Sequence, residues 1–485
     1  MSLSATLSNA LSGLTAASRG AQVVSSNISN ALTEGYGRRV LETSAASLNG
    51  QGAGVRVDGV RRDIDMVVIS DRRLSQAETG QAQTRADALA RIEAALGTPD
   101  GADSISGRIA ALESAFVAAA SRPDDNTRLA DVLGAAQAVA GSIAGASDDI
   151  QSMRMDAEAA IAADVATLND TLARIADLNG QIRLYTGSGN DANALMDQRQ
   201  VQVDRLAELV PLREVPRDHG MIALYTESGA TLLDGPPAEF GFQPAGLIVP
   251  EMTADSGALS GLTLNGQTVR VTGAYAPMGG GQLAALFDQR DSLATGAQSD
   301  LDALARDLID RFAAPGLDPT LASGAPGLFT DQGAVLDPAQ ESGLSARLAV
   351  NAAADPDQGG ALWHLRSGLG AASAGPVGAS TLLNAYADVL SGGHIVASGA
   401  FAGQALSALD LASETVSRQS VAAQRAEQEQ GFAAARTSAL REAELGGGVD
   451  TDAELQDLML LERAYAANAK VVQTAGDMIQ TLLGI

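Results

Sequence analysis

The chain has 485 residues, 46% apolar and only 3% aromatic, so we expect several packing units with aliphatic cores, since typical domains hold ~100–200 residues. Its 58 acidic residues outnumber 32 basic ones, and because a net charge of −26 repels phosphate groups, we expect neither nucleic acid nor a membrane as a partner. The absence of cysteine excludes disulfides, thiolate metal sites and thiol catalysis.

The N-terminal residues predict a helix with one narrow apolar seam. They have neither a basic n-region nor a continuous apolar h-region, which predicts that no Sec signal is present, and no run in the chain approaches 18 consecutive apolar residues. Gly35 and Gly37 predict a turn in which both can take positive φ, and alternating segments in 40–60 predict a small hairpin. The seam residues, in steps of four and three, are Leu3, Leu7, Ala10, Leu14, Ala17, Ala21, Val24 and Ile28.

The middle of the chain alternates between alanine-rich helical patterns and segments rich in proline and glycine. Apolar spacing of three and four residues predicts helix, whereas short alternating runs between prolines and glycines predict strands. The predicted order is a helical stretch (74–200), a β-rich insertion (209–281), a helix (282–312), an irregular segment with short strands (315–378) and a further helical stretch (381–444).

A second amphipathic helix is predicted at the C-terminal end, after a flexible joint at 446–448. Asp450 and Thr451 are candidate caps, and Glu454 adds a carboxylate to the first turn. Asn468 is the polar exception on this seam, and a buried asparagine there predicts a fixed register. The seam comprises Leu458, Leu461, Tyr465, Asn468, Val472, Ala475, Ile479 and Leu482.

These patterns predict a mainly α fold with a β-rich inserted head, in a nested multidomain architecture with paired N- and C-terminal coiled-coil-like helices. Spacing alone leaves open whether the two seams pack within one chain or between subunits. The predicted units are a terminal core (1–70 with 446–485), a helical shoulder (71–208 with 282–314 and 379–445), a head (209–281) and an irregular segment that could join the head (315–378).

The sequence offers no recognisable catalytic, cofactor-binding or metal-binding constellation. Its three histidines, His219, His364 and His394, have no paired spacing, and the motifs of zinc proteases, serine hydrolases and nucleotide-binding loops do not occur. Acidic pairs such as Asp124–Asp125 lack the calcium-loop pattern and are interpreted as solvated residues or caps. We therefore expect no enzymatic activity and no cofactor.

Both ends of the chain resemble the bacterial flagellar rod, hook and hook-associated proteins, which form one axial family. The N-terminal signature spans residues 27–36 and the C-terminal one spans residues 457–470. The turn at residues 35–39 and the segments 168–205 and 281–290 further resemble hook-associated proteins of the FlgK type. The chain departs from the common family pattern at Glu34, where a proline is usual.

This resemblance implies a structural protein at the hook–filament junction, outside the cell and exported through the flagellar type III channel. It implies a homo-oligomeric ring that contacts hook protein and a second hook-associated protein, and an export chaperone at the C-terminal helix. The alternatives are another axial role, in hook or rod, or a secreted adhesin or enzyme head on a flagellar-like stalk. The implied assembly residues are Leu3, Leu7, Leu14, Val24, Asn27, Ile28, Asn30, Gly35 and Tyr36, with Leu458, Leu461, Tyr465, Asn468, Val472, Ile479 and Leu482.

Overall fold

The computed structural model describes residues 3–48, 51–99, 101–273 and 275–483. Helix accounts for 61% of the structure and strand for 11%, so the fold is mainly α as predicted. The helices are α1 (Leu3–Asn30), α2 (Met66–Leu96), α3 (Ile105–Ser121), α4 (Asn126–Gly187), α5 (Asn193–Leu209), α6 (Gly281–Asp288), α7 (Ala294–Phe312), α8 (Leu344–Arg347), α9 (His364–Ser367), α10 (Thr381–Ser391), α11 (Ala408–Gly446) and α12 (Thr451–Leu483).

The strands are short and form five small antiparallel sheets among the described residues. The predicted hairpin after α1 is confirmed as the pair β1–β2, the longest of them. The strands are β1 (Arg38–Leu48), β2 (Gln51–Asp63), β3 (Leu212–Pro216), β4 (Ile222–Thr226), β5 (Thr231–Leu233), β6 (Phe240–Gly241), β7 (Thr263–Leu264), β8 (Gln267–Thr268), β9 (Phe329–Asp331), β10 (Leu348–Val350), β11 (His394–Ile395) and β12 (Ala405–Leu406).

Carboxylates cap the N-terminal ends of the helices α2 and α4. Asp65 accepts hydrogen bonds from the backbone N–H groups of Val67 and Val68 at the start of α2. Asp125 accepts from the N–H of Thr127 at the start of α4. A side-chain oxygen at this position satisfies an N–H group that has no partner within the helix. Asp125 therefore acts as a cap, in agreement with the interpretation of the Asp124–Asp125 pair, and Asp65 has the same role on α2.

The described residues form two apolar core clusters, and α4 runs through both. The first joins the first half of α4 with α3, α7, α10 and the start of α11. The second joins the other half of α4 with α5, α6 and the strands β3–β6. The irregular segment contributes buried side chains such as Phe329 and Leu365 to the first cluster rather than to the second.

The helix α4 is long and apolar enough to cross a membrane by length and composition, which the search for consecutive apolar residues did not predict. Its apolar side chains are nevertheless packed inside the protein, since Leu129, Ile143 and Ile161 have no exposed surface. This is the burial expected of a core helix shared by two packed clusters.

The insertion between α5 and α6 has less strand than its sequence predicted. Within the alternating segment 259–264 only the two residues of β7 form strand, and within the segment 268–272 only the first residue does so, as the end of β8. Buried side chains replace the missing ladder hydrogen bonds: Arg290 donates to the Ser260 carbonyl at 3.2 Å, and Glu158 accepts from the Ala245 N–H at 2.8 Å. Backbone groups satisfied in this way no longer require a neighbouring strand.

The helical stretch predicted over 381–444 is confirmed in part, because the structure divides it into two helices. The helix α10 ends at Ser391, and the short hairpin β11–β12 precedes α11. Gly399 and Gly403 in this connection take φ values of 72° and 83°, a conformation that favours glycine and cannot continue a right-handed helix. Ser407 then caps α11 by accepting from the Asp410 N–H.

Asp164 on α4 gives the protein a pH-dependent weakness. Burial raises the pKa of its carboxyl to about 6, and its buried Oδ2 atom has no hydrogen-bond partner among the described residues. Since the folded-state pKa lies above the unfolded one, this residue's contribution to stability is lost as the pH rises from about 4 through 6. We expect Asp164→Asn to raise the free energy of unfolding by about 1 kcal/mol at pH 7.5, since the partly hydrated carboxylate costs less than a fully buried one. Near pH 4 the variant and the parent should be equally stable, because the carboxyl is then protonated.

Urea denaturation of both proteins across this pH range measures the difference. Asp170→Asn, at an exposed position two turns away on the same helix, is the control. A difference in the free energy of unfolding between Asp164→Asn and the parent that grew toward pH 4 would contradict burial of the Asp164 carboxylate as its cause.

Candidate assembly surface of the terminal helices

The helices α1 and α12 pack against each other in an antiparallel pair. A Cβ atom at Gly13 would lie 2.7 Å from Nδ2 of Asn468, and one at Gly20 would lie 2.8 Å from Cδ2 of Leu461. The Asn27 side chain donates to Glu454 Oε2 at 3.0 Å. Each step of seven residues along α1 is thus matched by a step of seven back along α12. Glycine brings the two helices close at two of these three levels.

Asn27 is the centre of a buried polar cluster that connects four parts of the chain. Asn27 and Glu454 are each 1% exposed. The side-chain oxygen of Asn27 accepts from the Tyr36 hydroxyl at 2.8 Å and from the backbone N–H of Arg39 at 2.9 Å. Its side-chain nitrogen also donates to the Arg39 carbonyl. All four hydrogen-bonding positions of the side-chain amide are therefore occupied, by the turn after α1, by β1 and by α12.

The Glu454 carboxylate is paired with a positive charge as well as with Asn27. Arg38 Nε donates to Glu454 Oε1 at 2.8 Å, and this hydrogen bond is the main reason that the pKa of Arg38 is raised. Asp63 and Asp457 lie farther from the same guanidinium, at 3.6 and 3.9 Å. A buried carboxylate requires such a partner, since an unpaired one is costly to desolvate. The first turn of α12 is therefore attached to the base of the hairpin.

The turn after α1 attaches the terminal pair to α5. Gly35 has φ 74° as predicted, and a Cβ atom there would lie 2.5 Å from Cγ2 of Val201. Gly37 could also take positive φ but does not, and its N–H donates to Asp197 Oδ1. Arg39 Nη2 donates to the other oxygen of Asp197 at 3.0 Å. A single carboxylate on α5 therefore holds both the turn and β1.

The predicted N-terminal residues do not all meet α12. Val24 and Asn27 are buried, and Tyr36 and Gly35 lie at the turn described above. Asn30 instead donates to the Ser26 carbonyl of its own helix at 2.9 Å. The half-buried members of the predicted set are Leu3, Leu7, Leu14 and Ile28.

The predicted C-terminal residues divide between a partly covered face and open surface. Tyr465 and Leu482 are 48% and 63% exposed. Asn468 is not the buried polar residue that the sequence predicted, because it is only half-buried and donates to the Ala464 carbonyl of its own helix. The other half-buried members are Leu458, Leu461, Val472 and Ile479.

The sequence predicted Glu454 as a carboxylate in the first turn of α12 but did not predict its contacts with Asn27 and Arg38. The signal that could have identified its role is its spacing, since Glu454 lies seven residues before Leu461 and fourteen before Asn468. A carboxylate on that line of an amphipathic helix faces the partner rather than solvent. Its partner Asn27 belongs to the signature that carried the family resemblance.

The pair leaves apolar surface uncovered. A groove of about 500 Å³ runs between α1, β1 and α12, with Ala16, Val40 and Leu461 among its lining residues. Beside it, one flank of α12 exposes four large apolar side chains, each more than 40% accessible. These are Leu460, Val471, Met478 and Leu482. Surface of this kind is typical of a site that another protein covers.

The described residues do not bring potential metal ligands together at this surface. Within them, no group of three or more histidine, aspartate or glutamate side chains is arranged to hold a metal ion. The histidines lie elsewhere: His394 Nδ1 is 2.8 Å from Asp307 Oδ1, and His364 Nδ1 is 2.9 Å from the Gly368 carbonyl. At the termini, the hydrogen bonds of Glu454 with Asn27 and Arg38 position the two helices.

Two families match the sequence. The family described as the flagellar hook-associated protein FlgK helical domain matches residues 89–317, and the one described as the flagellar basal body rod FlgEFG protein C-terminal matches residues 446–485. Flagellar hook-associated protein 1 of Salmonella typhimurium is 29% identical over 243 residues, which cover 49% of this chain and 44% of that protein. The Bacillus subtilis protein of the same name is 24% identical, covering 47% of each chain.

The chain thus matches less than half the length of these relatives. Among solved structures, the flagellar hook junction protein FlgK from Burkholderia pseudomallei is similar at 21% identity with a TM-score of 0.44, over 54% of this chain and 46% of that one. The matches to the helical domain and to the C-terminal segment of the axial proteins, with the curated relatives, show that this chain is similar to flagellar hook-associated proteins and support a FlgK-type protein.

Proposed function

We propose that this protein is a structural component of the bacterial flagellum that forms the junction between hook and filament. The proposal is supported by the similarity to flagellar hook-associated protein 1 in several bacteria and by the match of the C-terminal segment to flagellar rod proteins. The observation that carries it is the terminal helix pair, whose outer flank exposes apolar side chains over most of the length of α12.

The assembly acts through packing rather than chemistry. The exposed flank of α12 and the adjoining groove would be covered by terminal helices of neighbouring subunits, which form a concentric core. Each large apolar side chain removed from water contributes roughly 1.5–3 kcal/mol, so the surface stabilises the assembly only when partners are present. The residues predicted from the sequence as assembly residues, including exposed Tyr465 and Leu482, would lie in or beside these contacts.

The predicted nested architecture fits this role. The terminal core (1–70 with 446–485) would pack at the centre of the assembly, and the shoulder (71–208 with 282–314 and 379–445) would surround it. The head (209–281) would face solvent. Packing of the irregular segment into the first apolar cluster supports grouping 315–378 with the shoulder rather than with the head.

The partners follow from the place of the junction. We propose a homo-oligomeric ring that contacts hook protein on one side and a second hook-associated protein on the other. The protein would reach this extracellular site through the flagellar type III channel, and an export chaperone would cover the C-terminal helix beforehand. A coiled-coil contact between the termini of adjacent subunits is the form of packing that the heptad spacing supports.

Electron microscopy of cells that lack this gene tests the proposal, with the culture medium assayed for filament protein. We expect hooks without filaments and flagellin released into the medium, because the filament has no base on which to assemble. Missing hooks would instead support a rod or hook role. Normal flagella would contradict an axial role and favour an adhesin or enzyme head on a flagellar-like stalk.

A further inference from the structure

We propose that Glu454 sets the register of the terminal helix pair through its hydrogen bonds with Asn27 and Arg38. A register-setting residue is one whose pairing can be satisfied at a single alignment of two otherwise permissive helices. The inference concerns the purified chain itself and does not rest on the proposed junction role.

The apolar contacts of this pair discriminate poorly between alignments. Gly13 and Gly20 occupy equivalent positions on α1, one heptad apart, and each faces a side chain of α12. The buried residues between them and toward the hairpin, Ala17 and Val24, are small and also one heptad apart. Sliding α12 by seven residues would therefore exchange one glycine level for another with little change in shape or apolar content.

The contact between Asn27 and Glu454 is different. A shift of α12 by seven residues in either direction (a slip) leaves a buried polar group without its partner. In one direction Glu454 would face Gly20 among Ala17 and Val24, away from Asn27 and Arg38. In the other direction Leu461 would face Asn27, whose amide would lose the bond to Glu454 that it makes at 3.0 Å. Asn27 and Glu454 are each 1% exposed at the observed alignment, so water does not replace the lost partner readily.

Asn468 does not compete for this role. Its amide donates to the Ala464 carbonyl within α12, a bond that moves with the helix and is the same at every alignment. Asp457, one turn after Glu454, has a side chain 53% exposed and lies 3.9 Å from Arg38, so it can remain hydrated wherever the helix sits.

The absence of cysteine allows disulfide reporters to measure the alignment directly. Gly13→Cys with Asn468→Cys reports the observed register. Gly20→Cys with Asn468→Cys reports one slip, and Gly13→Cys with Leu461→Cys reports the other. Each pair is combined with Glu454→Leu, which removes both polar contacts, with Glu454→Gln, which retains an oxygen for Asn27, and with Asp457→Asn as the control.

In the parent chain the observed-register pair is expected to form its disulfide in preference to both slipped pairs. Glu454→Leu should lower this preference about tenfold, the factor corresponding to one lost buried hydrogen bond. Glu454→Gln should restore most of it, and Asp457→Asn should leave it unchanged. An unchanged preference in Glu454→Leu would overturn the inference. So would equal loss of all three disulfides, which would show that Glu454 stabilises pairing without selecting its alignment.

Discussion

Leu482→Asp is expected to abolish incorporation of this protein into flagella while leaving the free chain folded. Leu482 is 63% exposed in the isolated chain, so a carboxylate there remains hydrated before assembly. In the proposed contact the same carboxylate would be buried without a partner, at a cost of about 3 kcal/mol or roughly 100-fold in association. Complementation of a deletion strain, read by electron microscopy and by flagellin in the medium, measures the effect. Ile479→Asp should act in the same direction.

Gln480→Asp is the matched control for that variant, because it places the same charge on an exposed position two residues away and on the opposite side of α12. It is expected to complement. The thermal transition of the purified Leu482→Asp chain should match that of the parent. Filaments of normal number and attachment on Leu482→Asp cells would remove the apolar flank of α12 from the proposed assembly.

Phe312→Ala is expected to lower the free energy of unfolding of the first apolar cluster by about 3–5 kcal/mol, the usual cost of deleting a buried aromatic ring. Phe312 is 1% exposed, and its ring centroid lies 5.3 Å from those of both Phe329 and Tyr386. The ring therefore joins α7 to α10 and to the irregular segment. Urea denaturation followed by the fluorescence of Trp363, the single tryptophan, reports on this region.

Phe432→Ala removes the same side chain from an exposed position on α11, where the ring is 77% accessible. Its effect on unfolding should stay within about 0.5 kcal/mol. A Phe312→Ala transition shifted no more than that of Phe432→Ala would show that the cluster collapses around the lost ring. Because the chain has two apolar clusters, circular dichroism should be compared with the fluorescence transition before either is treated as two-state.

Local sequence features predicted the ends of the molecule well. The heptads placed α1 and α12, and Asp450 caps α12 by accepting from the Asp452 N–H. Gly35 was expected to allow a turn with positive φ and does so, because this requirement belongs to one residue and its immediate neighbours. Long periodic segments of the middle region were likewise predicted as helix, since their apolar spacing extends over many turns.

Predictions failed where a residue's state depends on a distant part of the chain. The β-rich character of 209–281 was overestimated, because Arg290 and Glu158, remote in sequence, bind the backbone groups that strands would otherwise pair. Asn468 was expected to be the buried polar residue of the seam, whereas its side-chain amide donates a hydrogen bond to the Ala464 carbonyl of its own helix. Spacing identifies a face but not the depth of burial along it.

The sequence by itself determined the class of the protein: a mainly α chain with amphipathic helices at both ends and the signatures of flagellar axial proteins. These depend on periodicity and local motifs, which short stretches of chain carry in full. The tertiary structure alone decided that Glu454 meets Asn27 across 427 positions and that α4 serves two cores. Such pairings depend on which surfaces exclude water together, and a contact between distant residues leaves no local pattern from which it could be predicted.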